Sequence, residues 1–459
     1  MRVGVVGAGM AAARFAQQIA ARDARISVTV FGDEMYAPYN RALLADVLSA
    51  RFGAEAIGLP VGPSAVVRVG ARVSALNAER CSLRLADGEV HSFDAIVLAT
   101  GAGPVLPPMR NLRVAGRPHG SFTSTGSTGP TGPTGPTGQT VAGPAASAPA
   151  APPAAPSAAP TAAPAPAPAP PSRGEPSLEL LGGVHAFRSL DDCAALADAA
   201  PRAERAVVIG GGVLGVSAAR ALAALGVAVE VVHQGPHLME RHLDAQAASA
   251  LLCGLADLGV AVYLDNRARA LTGTEHVAGV ELANGHLLDA DLVVLACGVR
   301  PRVALARDAG LRVHTGIVVD DRLATSATGV HAIGDCAEFA GDVHGLAAAA
   351  WDQADVLAAH LTGGGERYAG SRTMMRLTAG PLAVAAFGAT GARAGDDVVR
   401  LADPTRNAYK KLVMRGDRLV AGILIGDLAT AGALTRAFER DDPLPADPLH
   451  LLAVPGAYR

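Results

Sequence analysis

The chain has 459 residues, half of them hydrophobic, which is enough for two or three domains of ordinary size. Its 39 Lys+Arg against 42 Asp+Glu leave a formal net charge of -3, which argues against a nucleic-acid partner, because such proteins usually carry a clear basic excess. Its apolar runs are broken well before the roughly 20 residues that a bilayer crossing needs, so we expect no membrane span.

The first predicted element is an apolar strand, Arg2 to Val6, which leads into the glycine turn GAGMAA and an Ala-rich helical run. A glycine fingerprint indicates a nucleotide site when it follows a strand and begins a helix, as it does here. Gly7 would permit the tight turn, Gly9 would let the backbone approach a pyrophosphate, and Ala12 would allow close packing of the helix. Backbone N–H groups and the helix dipole would then hold the phosphates, so we predict a dinucleotide site here.

A second strand, Ile26 to Phe31, is predicted to end beside this turn. An acidic residue about 20 positions after the fingerprint is expected there, where it would hold a ribose hydroxyl pair. Asp33 stands at that distance and Glu34 follows it, so Asp33 is the predicted ribose contact. A hairpin signal at Asp87-Gly88 and a buried-strand run complete the unit.

From about Gly120 to Ser172 the composition changes to Gly, Pro, Ala, Ser and Thr almost alone. Such a segment has few large apolar side chains to bury and cannot offset the entropy cost of ordering. We therefore predict that residues 113–182 form a disordered insertion. A collagen-like triple helix is the weaker alternative, because the Gly-Pro-Thr repeats are too few to hold one.

After the insertion the same architecture is predicted a second time. The strand Ala206 to Ile209 leads into GGGVLG, a second strand spans Ala228 to Val232, and a buried strand ends at Gly298. The fingerprint positions of this copy are held by Gly210, Gly212 and Gly215. The simplest interpretation is two copies of one nucleotide-binding architecture.

His233 follows the second strand of this later copy, where an acidic residue would favour NADH by holding the ribose 2′-OH. A histidine there leaves NADPH open, and His233 with Arg241 in the next loop could attract a 2′-phosphate. A partly exposed surface histidine and a solvated arginine are equally weighted alternatives. The sequence does not decide between NADH and NADPH.

A further nucleotide signal is the turn, short strand and Gly-Asp step that spans Thr325 to Asp335. Gly334 would let the backbone come close to a ligand, and the Asp335 carboxylate could accept hydrogen bonds from a ribityl or ribose chain. An ordinary turn aspartate is the alternative for Asp335 taken alone.

The order of the motifs GAGMAA, LATGA, GGGVLG, ACGVRP and AIGDCAE resembles that of the FAD-dependent pyridine nucleotide-disulfide oxidoreductase superfamily. The segments APYNRALL, HLMERHLD and HGL are similar, more narrowly, to the flavin module of NAD(P)H nitrite reductases. The resemblance covers nearly the whole chain outside the insertion and implies FAD at the first copy and NAD(P)H at the second. It assigns FAD contacts to Gly7, Gly9, Asp33, Arg41, Thr100, Gly101 and Asp335, and nicotinamide-nucleotide contacts to Gly210, Gly212, Gly215 and Gly298.

The resemblance implies an α/β fold with two Rossmann-like domains, for FAD and NAD(P), of glutathione-reductase type and a small α+β C-terminal domain. The expected boundaries are residues 1–112 and 299–371 for the FAD domain, 183–298 for the NAD(P) domain and 372–459 for the C-terminal domain. The chain's only lysines, Lys410 and Lys411, are interpreted as part of a solvated edge strand, with a basic docking spot for an acidic carrier as the alternative.

Two departures from the resembling reductases concern the nicotinamide. Ser217 stands where related reductases often have a Glu, and no Lys follows Leu44, so a possible ion pair is missing. Five cysteines without CxxC spacing indicate neither a disulfide scaffold nor a thiol-metal site, so no metal ligands are predicted. No acid–base residue is named as catalytic, because the cofactor supplies the chemistry.

The resemblance implies an FAD-dependent NAD(P)H oxidoreductase that passes electrons to a separate metalloprotein, with an assimilatory nitrite or nitrate reductase as the first choice. The alternatives are a rubredoxin or ferredoxin reductase and a flavin-bearing redox sensor or scaffold. The N-terminus lacks the charged start and long apolar core of a signal peptide, so we expect a cytoplasmic protein. The resemblance leaves a homodimer open.

Overall fold

The computed structural model describes residues 1–115, 178–372, 374–379, 382–389 and 391–444. Within those ranges, no helix combines the length and the apolar character that a membrane crossing requires.

The first nucleotide unit is built on an apolar strand, β1 (Arg2–Val6), that leads through the first glycine turn into α1 (Met10–Arg22). The further elements are β2 (Ser27–Phe31), α2 (Leu44–Leu48), β3 (Ala65–Arg68), β4 (Val73–Asn77), β5 (Ser82–Leu85), β6 (Val90–Ser92), β7 (Ala95–Leu98) and β8 (Ala102–Pro104), with 3₁₀ turns at Arg41–Leu43 and Ala54–Ile57. β1 pairs in parallel with β2 and β7, and Val6 lies opposite both Phe31 and Leu98. Parallel strands of this kind are buried on both faces, which explains their continuous apolar runs.

The two ends of the predicted insertion are strands, β9 (Arg113–Ala115) and β10 (Leu178–Leu180), and they pair with each other. The prediction of disorder for the stretch between them lies outside the described residues.

The second nucleotide unit repeats the architecture of the first. Its elements are β11 (Val184–Ala186), α3 (Leu190–Ala199), β12 (Arg205–Ile209), α4 (Val213–Ala224), β13 (Ala228–Val232), α5 (Ala245–Asp257), β14 (Ala261–Tyr263), β15 (Ala268–Thr272), β16 (Gly279–Leu282), β17 (Leu287–Asp289) and β18 (Leu292–Leu295), with a 3₁₀ turn at Ala200–Arg202. Its parallel sheet has the order β11-β18-β12-β13-β14. Two of its helices have side-chain caps, a capping box at Ser189 for α3 and Asp244 for α5.

The chain then returns to the first sheet. The elements of this return are β19 (Val299–Pro301), α6 (Ala304–Asp308), β20 (Ile317–Val319), β21 (Val330–Ala332), β22 (Ala337–Phe339) and α7 (Ala347–Leu361), with a 3₁₀ turn at Gly334–Cys336. β21 pairs with β7 and completes the order β21-β7-β1-β2-β3, while β19 pairs with β8. α7 packs on α1, where Arg14 and Asp355 form a bidentate ion pair at 2.7 Å.

The C-terminal part is an antiparallel sheet with one helix. Its elements are β23 (Met374–Ala379), β24 (Leu382–Gly388), β25 (Asp397–Asp403), β26 (Ala408–Arg415), β27 (Arg418–Ile425) and α8 (Ala431–Arg440), with a 3₁₀ turn at Pro404–Arg406. The strand order is β23-β24-β27-β26-β25, and Phe438 of α8 packs on Phe387 with ring centroids 4.7 Å apart. The predicted α/β fold with two Rossmann-like sheets and a small α+β domain is confirmed.

The interpretation of Lys410 and Lys411 as part of an edge strand is wrong. Both lie on β26, which is hydrogen-bonded to β25 on one side and to β27 on the other. The Nζ atom of the buried Lys411 lies 2.8 Å from Asp244, and that of Lys410 lies 2.7 Å from Asp427. Because each lysine charge forms an ion pair within the chain, the two lysines do not offer a basic docking spot to an acidic carrier.

Candidate functional site

Two glycine turns with the same geometry lie at the carboxyl ends of β1 and β12. Gly7 has a φ of +106°, and an added Cβ would lie 2.2 Å from the carbonyl oxygen of Ala99. Gly210 has a φ of +114°, and an added Cβ would lie 2.3 Å from the carbonyl oxygen of Ala296. Only glycine fits these two positions, because the left-handed φ disfavours any side chain and the carbonyl leaves no room for one.

The second glycine of each turn leaves space for a ligand. A Cβ added to Gly9 or Gly212 would meet no heavy atom within 4 Å. Each of these glycines precedes the first turn of a helix, α1 or α4, and neither helix has a side-chain cap. The N–H groups of a first helical turn have no partner within the helix and carry partial positive charge. Both turns therefore fit a pyrophosphate.

The small residue at the third fingerprint position lets the helix pack closely against each turn. A Cβ added to Gly215 would lie 1.8 Å from the carbonyl oxygen of Gly210, so α4 can approach the turn only with glycine there. Ala12 occupies the matching position on α1 and is fully buried. These two residues pack the helices and do not line the ligand space.

One cleft of about 2130 Å³ passes over both turns. It gathers residues that are far apart in the sequence from both nucleotide units, and residues 374–377 of the C-terminal sheet also line it. The predicted contact residues that line it are Gly7, Gly9, Asp33, Arg41, Thr100, Gly101, Gly210, Gly212, His233, Gly298, Gly334 and Asp335.

At the end of β2, the structure builds a network around Glu34, the neighbour of the predicted Asp33. Tyr39 donates a hydrogen bond from its hydroxyl to Glu34 at 2.6 Å, and the Arg41 guanidinium pairs with the other carboxylate oxygen. Burial opposes ionisation of Glu34, but the Arg41 charge and these hydrogen bonds outweigh it and hold the pKa of Glu34 below its ordinary value. Asp33 is exposed at the cleft wall, so Glu34 is the acid fixed in place.

Asp335 meets an arginine that the sequence analysis did not identify. Its carboxylate accepts a hydrogen bond from the Arg188 guanidinium at 2.6 Å, across 147 positions of sequence. Both side chains are largely buried, and Arg188 also donates to the carbonyl oxygen of Ala102. Arg188 has no local sequence signal, because it precedes the cap of α3 and reaches Asp335 only through the tertiary fold.

The turn after β7 is tied to the returning chain. Thr100 donates its hydroxyl hydrogen to the carbonyl oxygen of Arg302 at 2.7 Å, and the Arg302 N–H donates to the carbonyl oxygen of Gly101 at 2.9 Å. Gly101 has a φ of +66°, which favours glycine. The predicted residues Thr100 and Gly101 thus hold the wall between the two nucleotide units.

In the second unit, His233 is buried, with 8% of its surface exposed, so the alternative of a partly exposed surface histidine is wrong. Its Nδ1 accepts a hydrogen bond from the backbone N–H of Gly211, the middle glycine of the fingerprint, at 3.1 Å. Its Nε2 lies 3.3 Å from a carboxylate oxygen of Glu240, a residue that the sequence analysis did not assign to the site. Both Glu240 and Arg241 line the cleft.

A buried ion pair joins α2 and α4, the two helices on which the sequence analysis found an ion pair missing. Asp46 on α2 and Arg220 on α4 lie 3.3 Å apart, and both are buried. The hydroxyl of Ser217 donates to the carbonyl oxygen of Val213 within α4, so it does not take part in this pair. The two nucleotide units are therefore linked by charge at a position that sequence spacing did not indicate.

Two cysteines lie beneath the turns of the two units. Burial raises the pKa of the Cys297 thiol to about 11, and burial also raises the pKa of the fully buried Cys336. These thiols stay protonated near neutral pH, so neither is a thiolate nucleophile. Among the described residues, no group of three or more His, Cys, Asp or Glu side chains could hold a metal ion.

Two family models match the chain. Residues 1–126 and 161–354 match the model described as pyridine nucleotide-disulphide oxidoreductase. Residues 375–441 match the model described as rubredoxin NAD+ reductase C-terminal domain.

Two curated relatives show the range of similarity. The assimilatory nitrate reductase electron transfer subunit of Bacillus subtilis (strain 168) is 35% identical over 246 residues, which cover 53% of this chain and 32% of the relative. The NAD(P)H nitrite reductase large subunit of Klebsiella oxytoca is 29% identical over 460 residues, which cover 98% of this chain and 41% of the relative. The chain thus spans about a third to two fifths of the length of these relatives.

Among solved structures, the ferredoxin reductase from Rhodopseudomonas palustris aligns with a TM-score of 0.76 and 24% identity. The alignment covers 99% of this chain and 98% of that chain, so the two share their fold over nearly the whole length.

Proposed function

Because the chain belongs to the pyridine nucleotide-disulphide oxidoreductase family, we propose that it is an FAD-dependent NAD(P)H oxidoreductase that delivers electrons to a separate metalloprotein. Family membership and the structural neighbours support FAD as the cofactor and NAD(P)H as the reductant. The names of the relatives favour an assimilatory nitrite or nitrate reductase as the acceptor. The cytoplasm is the proposed compartment, because all five cysteines are free, as a reducing environment keeps them.

The observation that carries this proposal is that two equivalent pyrophosphate turns open onto one cleft. The turns at Gly7 and Gly210 share their φ and their close approach to a carbonyl. The cleft is continuous from one to the other and passes the Thr100 wall. A flavin on the first turn and a nicotinamide nucleotide on the second would therefore extend toward each other, which favours direct transfer between them.

The residues around the first turn fit FAD. The N–H groups at the start of α1 would bind its pyrophosphate, and Glu34, held ionised by Arg41 and Tyr39, would accept ribose hydroxyls. Asp335 would accept from the ribityl chain, with Arg188 fixing its orientation. When bound, FAD supplies the chemistry that links a hydride donor, which gives two electrons at once, to a metal centre, which accepts them one at a time.

A rubredoxin or ferredoxin reductase is the second candidate. The match of residues 375–441 to the C-terminal domain of rubredoxin NAD+ reductase favours this candidate. The first strand of that segment also lines the cleft. The same flavin chemistry would serve both acceptors, so the choice between them depends on the surface that the partner recognises.

The experiment that tests the proposal is anaerobic rapid mixing of the FAD-loaded chain with NADH and with NADPH. The flavin absorbance is expected to bleach within the time of one turnover for at least one coenzyme. The variant that tests the second turn is Gly212→Ala, which places a methyl group in the open space of this turn. It is expected to retain FAD but to lose reduction of the flavin by either coenzyme. Dithionite should still reduce this variant.

A flavin that neither coenzyme reduces within the turnover time would contradict the oxidoreductase and would favour the redox sensor or scaffold. Equal reduction of the Gly212→Ala variant would show that the second turn is not the coenzyme site. Mixing the reduced chain with nitrite reductase, rubredoxin and ferredoxin then separates the candidate acceptors by the rate at which the flavin is reoxidised.

A further inference from the structure

Glu240 places an acidic side chain at the end of β13, where the next residue along the chain is a histidine and not an acid. β13 ends at Val232, and the next residue, His233, takes the position at which an acid would contact the adenosine ribose. Glu240 comes from the loop seven positions further on, and its carboxylate lies beside the His233 ring. An acidic side chain is therefore brought to the end of β13 by the loop that follows it.

The loop is fixed to the glycine turn through Gly211. The N–H of Gly211 donates to Nδ1 of His233 at 3.1 Å, and its carbonyl oxygen accepts from the N–H of Met239 at 3.0 Å. Both backbone groups of this middle glycine are therefore engaged by the strand end and the loop. Met239 directly precedes Glu240, so this hydrogen bond anchors the backbone of Glu240 beside the pyrophosphate turn.

The hydrogen bond from Gly211 also decides the tautomer of His233. A ring nitrogen that accepts a hydrogen bond carries no proton, so in the neutral ring the proton is on Nε2. This buried Nε2 lies 3.3 Å from an Oε atom of Glu240 without the alignment of a hydrogen bond. His233 thus presents its N–H edge to a carboxylate, and a 2′-phosphate bound at this ring edge would meet that negative charge.

Gly235 makes the approach of the carboxylate possible. A Cβ added to Gly235 would lie 1.5 Å from Oε1 of Glu240, so any other residue would push the carboxylate away. The Glu240 side chain remains 42% exposed and lines the cleft together with Gly212 and His233. It is therefore accessible to a nucleotide whose pyrophosphate is on the second turn.

We infer that Glu240 is the residue that selects NADH over NADPH in the second nucleotide unit, with His233 and Gly235 as its positioning residues. The carboxylate accepts a hydrogen bond from the ribose 2′-OH of NADH and repels the 2′-phosphate of NADPH. Arg241 also lines the cleft and its charge would attract a phosphate, but the Glu240 carboxylate is the charge that lies beside the His233 ring and over Gly235. The inference rests on the proposed use of a nicotinamide nucleotide.

The test is calorimetric binding of ADP-ribose and of 2′-phospho-ADP-ribose to the FAD-loaded chain, so that no turnover is needed. The native chain is expected to bind ADP-ribose more tightly. Glu240→Gln should lower the ratio of the two affinities at least about tenfold, because it removes a hydrogen bond to a charged acceptor and a repulsive charge. Glu79→Gln, in the turn between β4 and β5 and outside the residues that line the cleft, is the matched control and should leave the ratio unchanged.

His233→Asn tests the positioning role. The Asn carbonyl can still accept from the N–H of Gly211, but the side chain has no group at the place of Nε2. We expect this variant to keep its FAD content, while its affinity for ADP-ribose and the ratio of the two affinities fall part of the way toward the values of Glu240→Gln. An unchanged ratio would remove His233 as a positioning residue.

An unchanged ratio in Glu240→Gln, or equal weakening of both ligands, would overturn the assignment of Glu240. The kinetic counterpart is kcat/KM for NADH and NADPH with an artificial acceptor, which should show the same change of ratio. If neither ligand binds the native chain and neither coenzyme reduces its flavin, the proposed function itself fails, and the assignment fails with it.

Discussion

Gly7 and Gly9 are two positions apart, yet the structure gives them different tasks. Gly7 is required by the fold, because its φ is positive and a carbonyl oxygen occupies the place of a Cβ. Gly9 has an ordinary φ of -97° and open space around it, so the fold tolerates a side chain there, while the proposed pyrophosphate would not. Substitutions at the two residues therefore separate folding from cofactor binding.

We predict that Gly7→Ala lowers the stability of the FAD-free chain and that Gly9→Ala does not. Strained backbone of this kind costs on the order of 1–3 kcal/mol, with the clash added to it. Gly9→Ala should instead purify as a folded chain with several-fold less FAD. The measurement is the melting temperature of the flavin-free chains together with the flavin-to-protein ratio after gel filtration. Equal stability of the two variants would contradict the assigned roles.

Sequence reasoning predicted these glycines because the rule is local, since a strand, a tight turn and a helix start are contiguous in the chain. It placed the ribose acid at Asp33 and did not single out Glu34, because the partners that hold the Glu34 carboxylate come from the loop at Tyr39 and Arg41. It did not find Arg188, because the pairing with Asp335 spans 147 positions and depends on the tertiary fold.

Asp335→Ala should weaken the retention of FAD. The loss of hydrogen bonds to a charged acceptor costs about 1.5–3 kcal/mol, which corresponds to roughly tenfold or more in the dissociation constant. Arg188 would also lose its partner in the cleft. The measurement is the FAD dissociation constant by fluorescence, with Asp417→Ala in the exposed turn between β26 and β27 as the control. An unchanged constant in Asp335→Ala would remove Asp335 from the flavin site.

Among the elements, α2 and α4 are held together by charge as well as by packing. Asp46 and Arg220 form a buried pair, and the exposed Arg51 reaches the same carboxylate at 3.5 Å. The α2 segment follows the Arg41 turn of the first unit, and α4 begins at the second glycine turn. The pair therefore joins the Arg41 turn to the second glycine turn. It lies between the same two helices as the ion pair that the resembling reductases can form and this sequence lacks.

Removal of the Asp46 charge should cost far more stability than removal of Arg51. Asp46→Asn leaves the Arg220 charge buried without a counter-ion, which typically costs about 3–5 kcal/mol. Arg51→Ala removes only an exposed partner, for which about 1 kcal/mol or less is expected. Urea unfolding of the two variants beside the native chain measures both values. Similar losses in the two variants would show that the buried pair is not what holds α2 to α4.

The strand β21 carries a buried histidine that makes stability depend on pH. Burial, with a smaller effect of the nearby His360, lowers the pKa of His331 from 6.5 to about 4. The folded state therefore disfavours the proton that the unfolded state binds, so stability is complete above pH 6.5 and falls as the pH drops toward 4.

The free energy of unfolding should fall by up to about 1.4 kcal/mol per pH unit across this range through His331 alone. In His331→Gln that part of the pH dependence should be absent, whatever the variant's stability at pH 7. The measurement is urea unfolding at pH 7 and pH 5, and the difference between the two values is compared in the two chains. An identical difference would show that His331 ionises equally in the folded and unfolded states.

At the scale of the whole molecule, the repeated nucleotide unit is the feature that the sequence predicts best. Both copies follow the same order of strand, glycine turn, helix and second strand, so each supports the interpretation of the other. The contacts that join the copies are less predictable, because Asp46 and Arg220 lie 174 positions apart and have no shared motif. The C-terminal sheet borders the cleft, and only the fold reveals that its lysines are buried in ion pairs.

The decisive measurement for an electron-input oxidoreductase is electron transfer from the NADH-reduced, FAD-loaded chain to an oxidised nitrite reductase under anaerobic conditions. The flavin is expected to be reoxidised as the metal centre is reduced, at a rate no slower than turnover with NADH. The Gly212→Ala variant, which is expected to retain FAD, should give no NADH-driven transfer. If the native chain retains FAD but NADH delivers no electrons through it to nitrite reductase, rubredoxin or ferredoxin, the account of an electron-input oxidoreductase is contradicted.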